Sequence, residues 1–177
     1  DYPIHLELGC GRGNFITQLA GSNKNINYIV IDAHDELLVY VLRKLNKNNL
    51  DNVKIISMNI ENIESVFGED EIEKIYINFC NPWPSKRHHK RRLTHTNFLN
   101  KYKTFLKNGS EVWLKTDDEL LFVDSLDYFK DTGFNELYRT YDLYQSGLEE
   151  NIMTEYEEKF VNQGIRIKFA RFKNEKM

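Results

Sequence analysis

Residues 4–15 read IHLELGCGRGNF and indicate the architecture of this 177-residue chain more clearly than any other segment. The apolar run at residues 4–8 predicts a buried strand, and the glycine-rich turn at residues 9–13 leads directly into a predicted helix. Glycines at such a turn let the backbone adopt positive φ and let a ligand approach without contact from a Cβ. The segment therefore predicts a binding site for a nucleoside-type ligand at the end of the first strand.

Working outward from this segment, short β-branched runs alternate with segments of helical period along the chain. This alternation is typical of a parallel sheet with crossover helices. The predicted strands are residues 4–8, 28–31, 53–58, 74–79, 111–115, 136–141 and 165–172. The predicted helices are residues 14–19, 35–46, 94–106, 119–131 and 156–162. We expect an α/β Rossmann-like fold over residues 1–177, with a mostly parallel doubly wound sheet and a C-terminal antiparallel strand.

The composition excludes several classes of protein. A net charge of −3 and a pI near 6.0 exclude a protein that coats nucleic acid with its whole surface. The two cysteines, Cys10 and Cys80, lack the paired spacing of a zinc site or a disulfide scaffold, so we expect a cytoplasmic protein without a metal. No apolar run approaches the roughly 18 residues that span a bilayer, so we expect no membrane partner.

Two features of the whole protein lie beyond these patterns. The chain leads into its first predicted strand almost at once, so we expect that it lacks a native N-terminal segment. The oligomeric state stays open between a monomer and a homodimer.

The glycine spacing separates two kinds of cofactor. Gly9, Gly11 and Gly13 follow the pattern G-x-G-x-G, and Asn14 stands where the dinucleotide fingerprint has its third glycine. A carboxylate at Glu7 would repel a pyrophosphate, but it could receive the ammonium group of a methionine moiety. The pattern therefore favours a nucleoside cofactor that carries an ammonium group.

Two further polar residues follow the next strands. Asp32 ends the second predicted strand and is placed to accept hydrogen bonds from both ribose hydroxyls. Asn59 follows the third and could read the adenine amino group. The alternatives are that Asp32 caps the helix beginning near Asp35, that Asn59 is a turn residue, and that Glu7 is a solvated strand-end charge.

The fourth predicted strand ends in NFCNPWP, residues 78–84. Pro82 and Pro84 hold the backbone extended, so Asn81 and Trp83 are presented in fixed positions beside the ligand site. An indole can stack on a base, and an amide can hydrogen-bond to the edge of a base. Ordinary packing of Trp83 is the alternative.

A basic run, KRHHKRR at residues 86–92, follows at once. Five of its seven residues are permanently cationic, and its histidines have no partners at metal-ligand spacing. Charge runs are often only solvated surface, but this one follows a predicted active-site loop in an acidic protein. We therefore expect Lys86, Arg87, Lys90 and Arg91 to contact phosphates of a nucleic acid.

The segments LELGCGRGNF, NFCNPWPSKRHHKRRLTH, WLKTD and NIMTEYEEKF together resemble the bacterial tRNA (guanine-N7-)-methyltransferases over essentially the whole chain. The resemblance implies a class I S-adenosylmethionine-dependent methyltransferase fold. It also implies methyl transfer from S-adenosylmethionine to N7 of a guanosine in tRNA, at position 46 of the variable loop.

The same resemblance assigns roles to residues. It implies that Glu7, Asp32, Asn59 and Asn81 lie on the cofactor side, with Asn81 also the catalytic residue. It implies that Asp117 and the segment 154–157, with Thr154 and Glu157, contact the substrate guanosine. The alternatives are a helix cap for Asp117 and a surface helix charge for Glu157.

The chain departs from the family pattern at three positions. Asn81 and Asn59 replace common aspartates, and Ser85 replaces a common lysine. Because N7 of guanine carries a lone pair and no proton, its methylation requires no general base, and positioning of the reactants can supply the catalysis. The Asn81 replacement is therefore compatible with activity.

Two other functions compete with this interpretation. Asn81-Pro82-Trp83 loosely resembles the N/D-P-P-Y/F/W loop of amino-group methyltransferases of nucleic acids, but Trp83 stands where that motif has its second proline. A non-catalytic RNA-binding module that retains the fold is the other alternative. The intact glycine and acidic residues argue against it.

Overall fold

All seven strands of the protein join one sheet, in a computed structural model that describes residues 2–176. The strands are β1 (Ile4–Leu8), β2 (Asn27–Asp32), β3 (Val53–Ser57), β4 (Ile72–Asn78), β5 (Leu106–Thr116), β6 (Phe134–Thr140) and β7 (Lys168–Asn174). Their order in the sheet is β3-β2-β1-β4-β5-β7-β6. The strands from β3 to β5 pair in parallel, whereas β7 runs antiparallel to both β5 and β6. The predicted doubly wound sheet with a C-terminal antiparallel strand is confirmed.

Helices cover both faces of the sheet, since successive residues of a strand point to opposite sides. On β4, Ile75 and Ile77 belong to a core that includes residues of α3 and α4, whereas Tyr76 packs among residues of α1 and α2. The helices are α1 (Asn14–Ser22), α2 (Asp35–Lys47), α3 (Thr96–Phe105), α4 (Glu119–Asp131) and α5 (Glu155–Asn162). Within residues 2–176, no helix is both long enough and apolar enough to cross a membrane.

Most predicted boundaries lie within two residues of the observed ones. Helix α1 ends at Ser22, three residues later than predicted, and three other shifts have local causes. Helix α3 begins at Thr96 because the His95 ring accepts a hydrogen bond from the Asn97 N–H at 3.2 Å and caps the helix. Strand β5 begins at Leu106, five residues early, because the chain passes from α3 into the strand without a loop. Strand β7 begins three residues late because the Ile165 N–H still bonds to the last turn of α5.

The topology places a crevice beyond the ends of β1 and β4. These strands are neighbours, and the chain crosses from β1 toward β2 on one side and from β4 toward β5 on the other. Ligands of open α/β sheets bind at such a switch point, outside the carboxyl ends of the strands. The glycine loop after β1 and the NPWP loop after β4 therefore face the same crevice.

Candidate active site

A cavity of about 470 Å³ occupies this crevice, within the size range of small-molecule sites. It is formed by the loops after β1 and β4, the ends of β2 and β3, and the beginning of α5. The predicted site residues that line it are Glu7, Gly9, Gly11, Gly13, Asp32, Asn59, Asn81, Trp83, Arg91 and Thr154. Those that lie outside its wall are Lys86, Arg87, Lys90, Asp117 and Glu157.

The glycine loop lines the cavity with backbone. Gly9, Gly11 and Gly13 all have positive φ, and Gly13 is the N-cap of α1. A Cβ at Gly13 would lie 2.8 Å from Cγ2 of Val41 on α2, which is closer than real Cβ contacts. Glycine is therefore required at position 13 both by the left-handed turn and by the close approach of α2.

Glu7 is a buried carboxyl group in the wall of the cavity. Its side chain is 2% exposed, and its Oε2 has no hydrogen-bond partner among residues 2–176. Nδ2 of Asn78, at the end of neighbouring β4, is likewise without a partner there. Burial raises the pKa of Glu7 to about 8, while Asn78 and Lys115 act in the opposite direction. The solvated strand-end interpretation is wrong, and the site fits a cationic ligand group.

Asp32 occupies the cavity wall at the end of β2 and does not cap the next helix. Helix α2 has His34 as its N-cap, with no hydrogen bond from that side chain. Oδ1 of Asp32 instead accepts from the His34 N–H at 2.9 Å. The cap alternative is wrong, and ribose binding by Asp32 stays a prediction.

Asn59 combines a turn role with a place at the cavity. Its Oδ1 accepts a hydrogen bond from the Glu61 N–H at 3.0 Å and caps a 3₁₀ helix, Ile60–Ser65, that the sequence did not predict. The alternative that Asn59 is a turn residue is therefore confirmed, and the same residue also lines the cavity. A contact between Asn59 and adenine stays a prediction. The side-chain oxygen of Asn59 already accepts one hydrogen bond, from the Glu61 N–H.

The loop after β4 is strained and held in place. Phe79 and Trp83 have positive φ values of 51° and 43°, although neither is glycine, so the backbone turns at Trp83 and is not extended there as predicted. Oδ1 of Asn81 accepts the Trp83 N–H at 3.1 Å, which closes a side-chain turn across Pro82. Such strain persists only where surrounding contacts fix the backbone, and it is concentrated at functional sites.

Arg92 supplies the main contact that fixes this loop. Its side chain is fully buried, and its Nε donates to the carbonyl of Pro82 at 2.6 Å. Its guanidinium also bonds Asp124 of α4 at 2.5 Å and lies 2.9 Å from Nε2 of His89. The basic run therefore presents four permanent cations at the surface instead of five, because Arg92 turns inward.

The rest of the basic run forms a 3₁₀ helix, Lys86–Arg91, beside the cavity. The guanidinium carbon of Arg91 lies 5.1 Å from the ring centroid of Trp83, and the centroid of the His88 ring lies 5.8 Å from that of the same indole. Lys86, Arg87, Lys90 and Arg91 are exposed. Within residues 2–176, no group of three or more histidine, cysteine or acidic side chains could hold a metal ion.

A buried ion pair connects the sheet to the beginning of α5. Lys115, near the end of β5, and Glu157 of α5 are 4% and 0% exposed, and Nζ of Lys115 lies 2.6 Å from Oε2 of Glu157. Lys115 also donates to Oδ1 of Asn151 and to the carbonyl of Ile152. Burial lowers the pKa of Lys115, and the charge of Glu157 opposes this shift.

Glu157 is saturated with hydrogen bonds. Its Oε1 accepts from the Tyr144 hydroxyl and from Asn151, both at 2.7 Å. Its Oε2 accepts from Lys115 and from the backbone N–H of Thr154, and Thr154 in turn caps α5. The surface-charge alternative is wrong. The predicted direct contact of Glu157 with guanosine also needs correction, because this carboxylate is enclosed and does not face the cavity.

Asp117 lies just beyond β5 and is not a helix cap, since Asp118 caps α4 through a bond to the Leu121 N–H. Partial burial raises the pKa of Asp117. Burial also raises the pKa of the cavity residue Cys80 to about 12, with Asp117 contributing in the same direction. Asp117 follows the end of β5, where Lys115 pairs with the cavity residue Asn78, so it lies near the cavity although it does not line it.

Comparison with known proteins places the chain among methyltransferases. A family model described as a putative methyltransferase matches residues 1–170. The tRNA (guanine-N(7)-)-methyltransferase of Desulfitobacterium hafniense is 62% identical over 172 residues, which is 97% of this chain and 80% of the relative. The enzyme of the same name from Clostridium tetani is 58% identical over 166 residues, covering 94% and 79%.

A solved structure of a SAM-dependent methyltransferase from Aquifex aeolicus superposes with a TM-score of 0.68. The match covers 97% of this chain and 81% of that chain, at 14% sequence identity. At this identity the likeness concerns the fold alone, and it supports the class I methyltransferase architecture.

Proposed function

The chain belongs to the family of tRNA (guanine-N7-)-methyltransferases, and from this premise we propose that it modifies the guanosine at position 46 in the variable loop of tRNA. As a family member, it is an S-adenosylmethionine-dependent enzyme that methylates N7 of guanosine in tRNA. The observation that carries this function is the buried carboxyl group of Glu7, which lines the same cavity as Asn81, Trp83 and Arg91. A subsite for a cationic cofactor thus adjoins a surface suited to RNA.

The cofactor subsite fits S-adenosylmethionine group by group. Oε2 of Glu7, which has no hydrogen-bond partner in the described part of the chain, suits its ammonium group, and Asp32 suits its ribose hydroxyls. Asn59 suits its adenine. The glycine loop at residues 9–13 leaves room for the part of the cofactor between the ammonium group and the adenine. When bound, the cofactor supplies an electrophilic methyl group on its sulfonium sulfur.

The protein contributes positioning to the methyl transfer. N7 of guanine carries a lone pair and no proton, so no residue has to remove a proton before the methyl group is attacked. Holding the reacting atoms in line at about 3 to 3.5 Å is then the main requirement. Asn81 serves it through the side-chain turn that fixes the NPWP loop at the cavity.

The surface beside the cavity supports tRNA binding. The exposed cations of the 3₁₀ helix are Lys86, Arg87, Lys90 and Arg91, and the last of these lines the cavity. Cations so placed can neutralise the phosphates that flank a bound nucleotide. In a protein with a net charge of −3, this local concentration of positive charge favours RNA binding beside the cavity.

Thr154 and Asp117 are the residues suited to recognise guanine. Thr154 lines the cavity, and Asp117 offers a half-buried carboxylate for the N–H groups of the Watson–Crick edge. Glu157 acts through α5, since its four hydrogen bonds hold the Thr154 turn in place.

Mapping the modified nucleotide tests the proposed position. Unmodified tRNA is incubated with protein and S-adenosylmethionine, and the RNA is then cleaved chemically at 7-methylguanosine and sized on a gel. We expect one cut, in the variable loop. The matched control is a transcript with adenosine at that position, which should yield no cut; a cut elsewhere in either transcript would contradict the assignment.

A further inference from the structure

An exposed aromatic ring at the cavity remains to be explained. Tyr156, the second residue of α5, lines the cavity and is 54% exposed. Its Cε2 atom lies 3.7 Å from the point where a Cβ on Gly11 would be, so the ring stands directly against the glycine loop. An aromatic ring held against a cofactor loop with more than half of its surface open is suited to contact a flat ligand.

Trp83, the aromatic residue that the sequence favoured for base stacking, is less available. The Arg91 guanidinium lies 5.1 Å from its ring centroid, and the His88 ring lies 5.8 Å away at an interplanar angle of 43°. The indole is also half buried. Its own neighbours therefore occupy much of the surface that a base would use.

Tyr156 is held in place by contacts on its other side. Its ring lies 6.4 Å from that of Phe160 at an interplanar angle of 24°, and Phe160 lies 5.9 Å from Phe79 in the strained loop after β4. Next to it, Glu155 forms an ion pair with Lys44 of α2 at 3.2 Å. These contacts join α5 to the loop after β4 and to α2, so little entropy is lost when a bound base orders the ring.

We propose that Tyr156 is the stacking surface for the target guanine, an inference that rests on the proposed function. In the transfer, the N7 lone pair would form the new bond to the methyl carbon, and the electron pair of the broken carbon–sulfur bond would stay on sulfur. The positive charge would thus pass from the sulfonium to the guanine. The electron-rich ring of a tyrosine attracts a cationic base more strongly than it attracts a neutral base. Tyr156 therefore binds the developing cation better than the substrate and raises the rate of the chemical step.

Single-turnover rates with saturating tRNA and cofactor test this assignment. Tyr156→Leu should lower the rate by about 2- to 30-fold, the range that cation–π attraction spans, because only binding gained in the transition state appears at saturation. Tyr156→Phe, which keeps the ring, should stay within about threefold of the parent. The matched control is Tyr141→Leu, which removes a ring that is 44% exposed but packs on Phe122 away from the cavity. That control should leave the rate unchanged.

Fluorescence gives a second readout that does not depend on catalysis. A tRNA with 2-aminopurine in place of the target guanosine should be quenched on binding the parent and Tyr156→Phe, and should stay bright with Tyr156→Leu. Equal rates and equal quenching for Tyr156→Leu and Tyr141→Leu would overturn the stacking role.

Two further outcomes separate the inference from the function on which it rests. If Tyr156→Leu weakens S-adenosylhomocysteine binding without tRNA, as measured by calorimetry, the ring covers the cofactor and the inference is overturned while the function stands. If the parent protein forms no 7-methylguanosine, the proposed function fails and the inference fails with it.

Discussion

Replacing Lys115 with methionine should destabilise the protein strongly, because it breaks a buried ion pair from one side. The substitution keeps an apolar chain of similar length but leaves the carboxylate of Glu157, which is 0% exposed, without its cation. It also removes the hydrogen bonds from Nζ to Asn151 and Ile152. Breaking a buried ion pair from one side costs about 3 to 5 kcal/mol, which is a large fraction of the stability of an ordinary domain.

Urea unfolding at neutral pH measures this cost, with the slope of the transition checked for each variant. The matched control is Lys107→Met, which breaks the Lys107–Glu73 pair on the surface, where about 0 to 1 kcal/mol is expected. The double variant Lys115→Met/Glu157→Gln should recover part of the loss, because the uncompensated charge is gone. A free energy of unfolding for Lys115→Met equal to that of the control would refute the reasoning.

Three further predictions concern binding and catalysis. Burial raises the pKa of Glu7 to about 8, and only its ionised form pairs with an ammonium group. Cofactor affinity measured by calorimetry should therefore rise with pH toward 8 and then level off. Glu7→Gln should bind the cofactor weakly at every pH, and a flat profile for the parent protein would count against this pairing. Replacing Arg87, Lys90 and Arg91 with alanine should flatten the slope of log tRNA affinity against log salt by about 0.7 to 0.9 per lost contact, with cofactor affinity unchanged; an unaltered slope would make the run solvated surface. Asn81→Asp should change the single-turnover rate by less than about tenfold, and Asn81→Ala should lower that rate by a larger factor. A gain of about 10²- to 10⁴-fold for Asn81→Asp would instead indicate that a general base is missing.

The parts of the fold and site that could be predicted from sequence depend on local signals. Strand β1 and helix α4 begin and end where the periodicity of their apolar residues indicates. The glycine loop at residues 9–13 follows from the backbone conformations that only glycine adopts freely. Glu7 and Asp32 could be placed at the cavity because the carboxyl ends of neighbouring parallel strands meet at one edge of a sheet.

Burial of charged residues could not be predicted, because it depends on partners far away in the chain. Arg92 resembles its cationic neighbours in sequence, yet its side chain is buried and bonds to Asp124, 32 residues later. Lys115 and Glu157 are 42 residues apart, and neither shows a local sign of the other. The signal available was indirect: a lysine in an otherwise apolar strand end requires a buried acceptor somewhere in the fold.

The sequence also could not predict which aromatic residue at the cavity is open to a base. Trp83 between two prolines resembles a stacking residue, but the turn that presents it also brings Arg91 and His88 onto its ring. Tyr156 follows a helix cap and resembles an ordinary surface residue until α5 is seen to lie against the glycine loop. Which ring stays open is decided by packing between distant segments.

The identity of the methylated nucleoside tests the central claim most directly. Protein, unmodified tRNA and S-adenosylmethionine with a labelled methyl group are incubated together, and the RNA is digested to nucleosides and separated by chromatography with mass detection. The account predicts that the label appears in 7-methylguanosine and that Glu7→Gln abolishes or greatly slows its appearance. Label in N6-methyladenosine, or no label in any nucleoside, would contradict it.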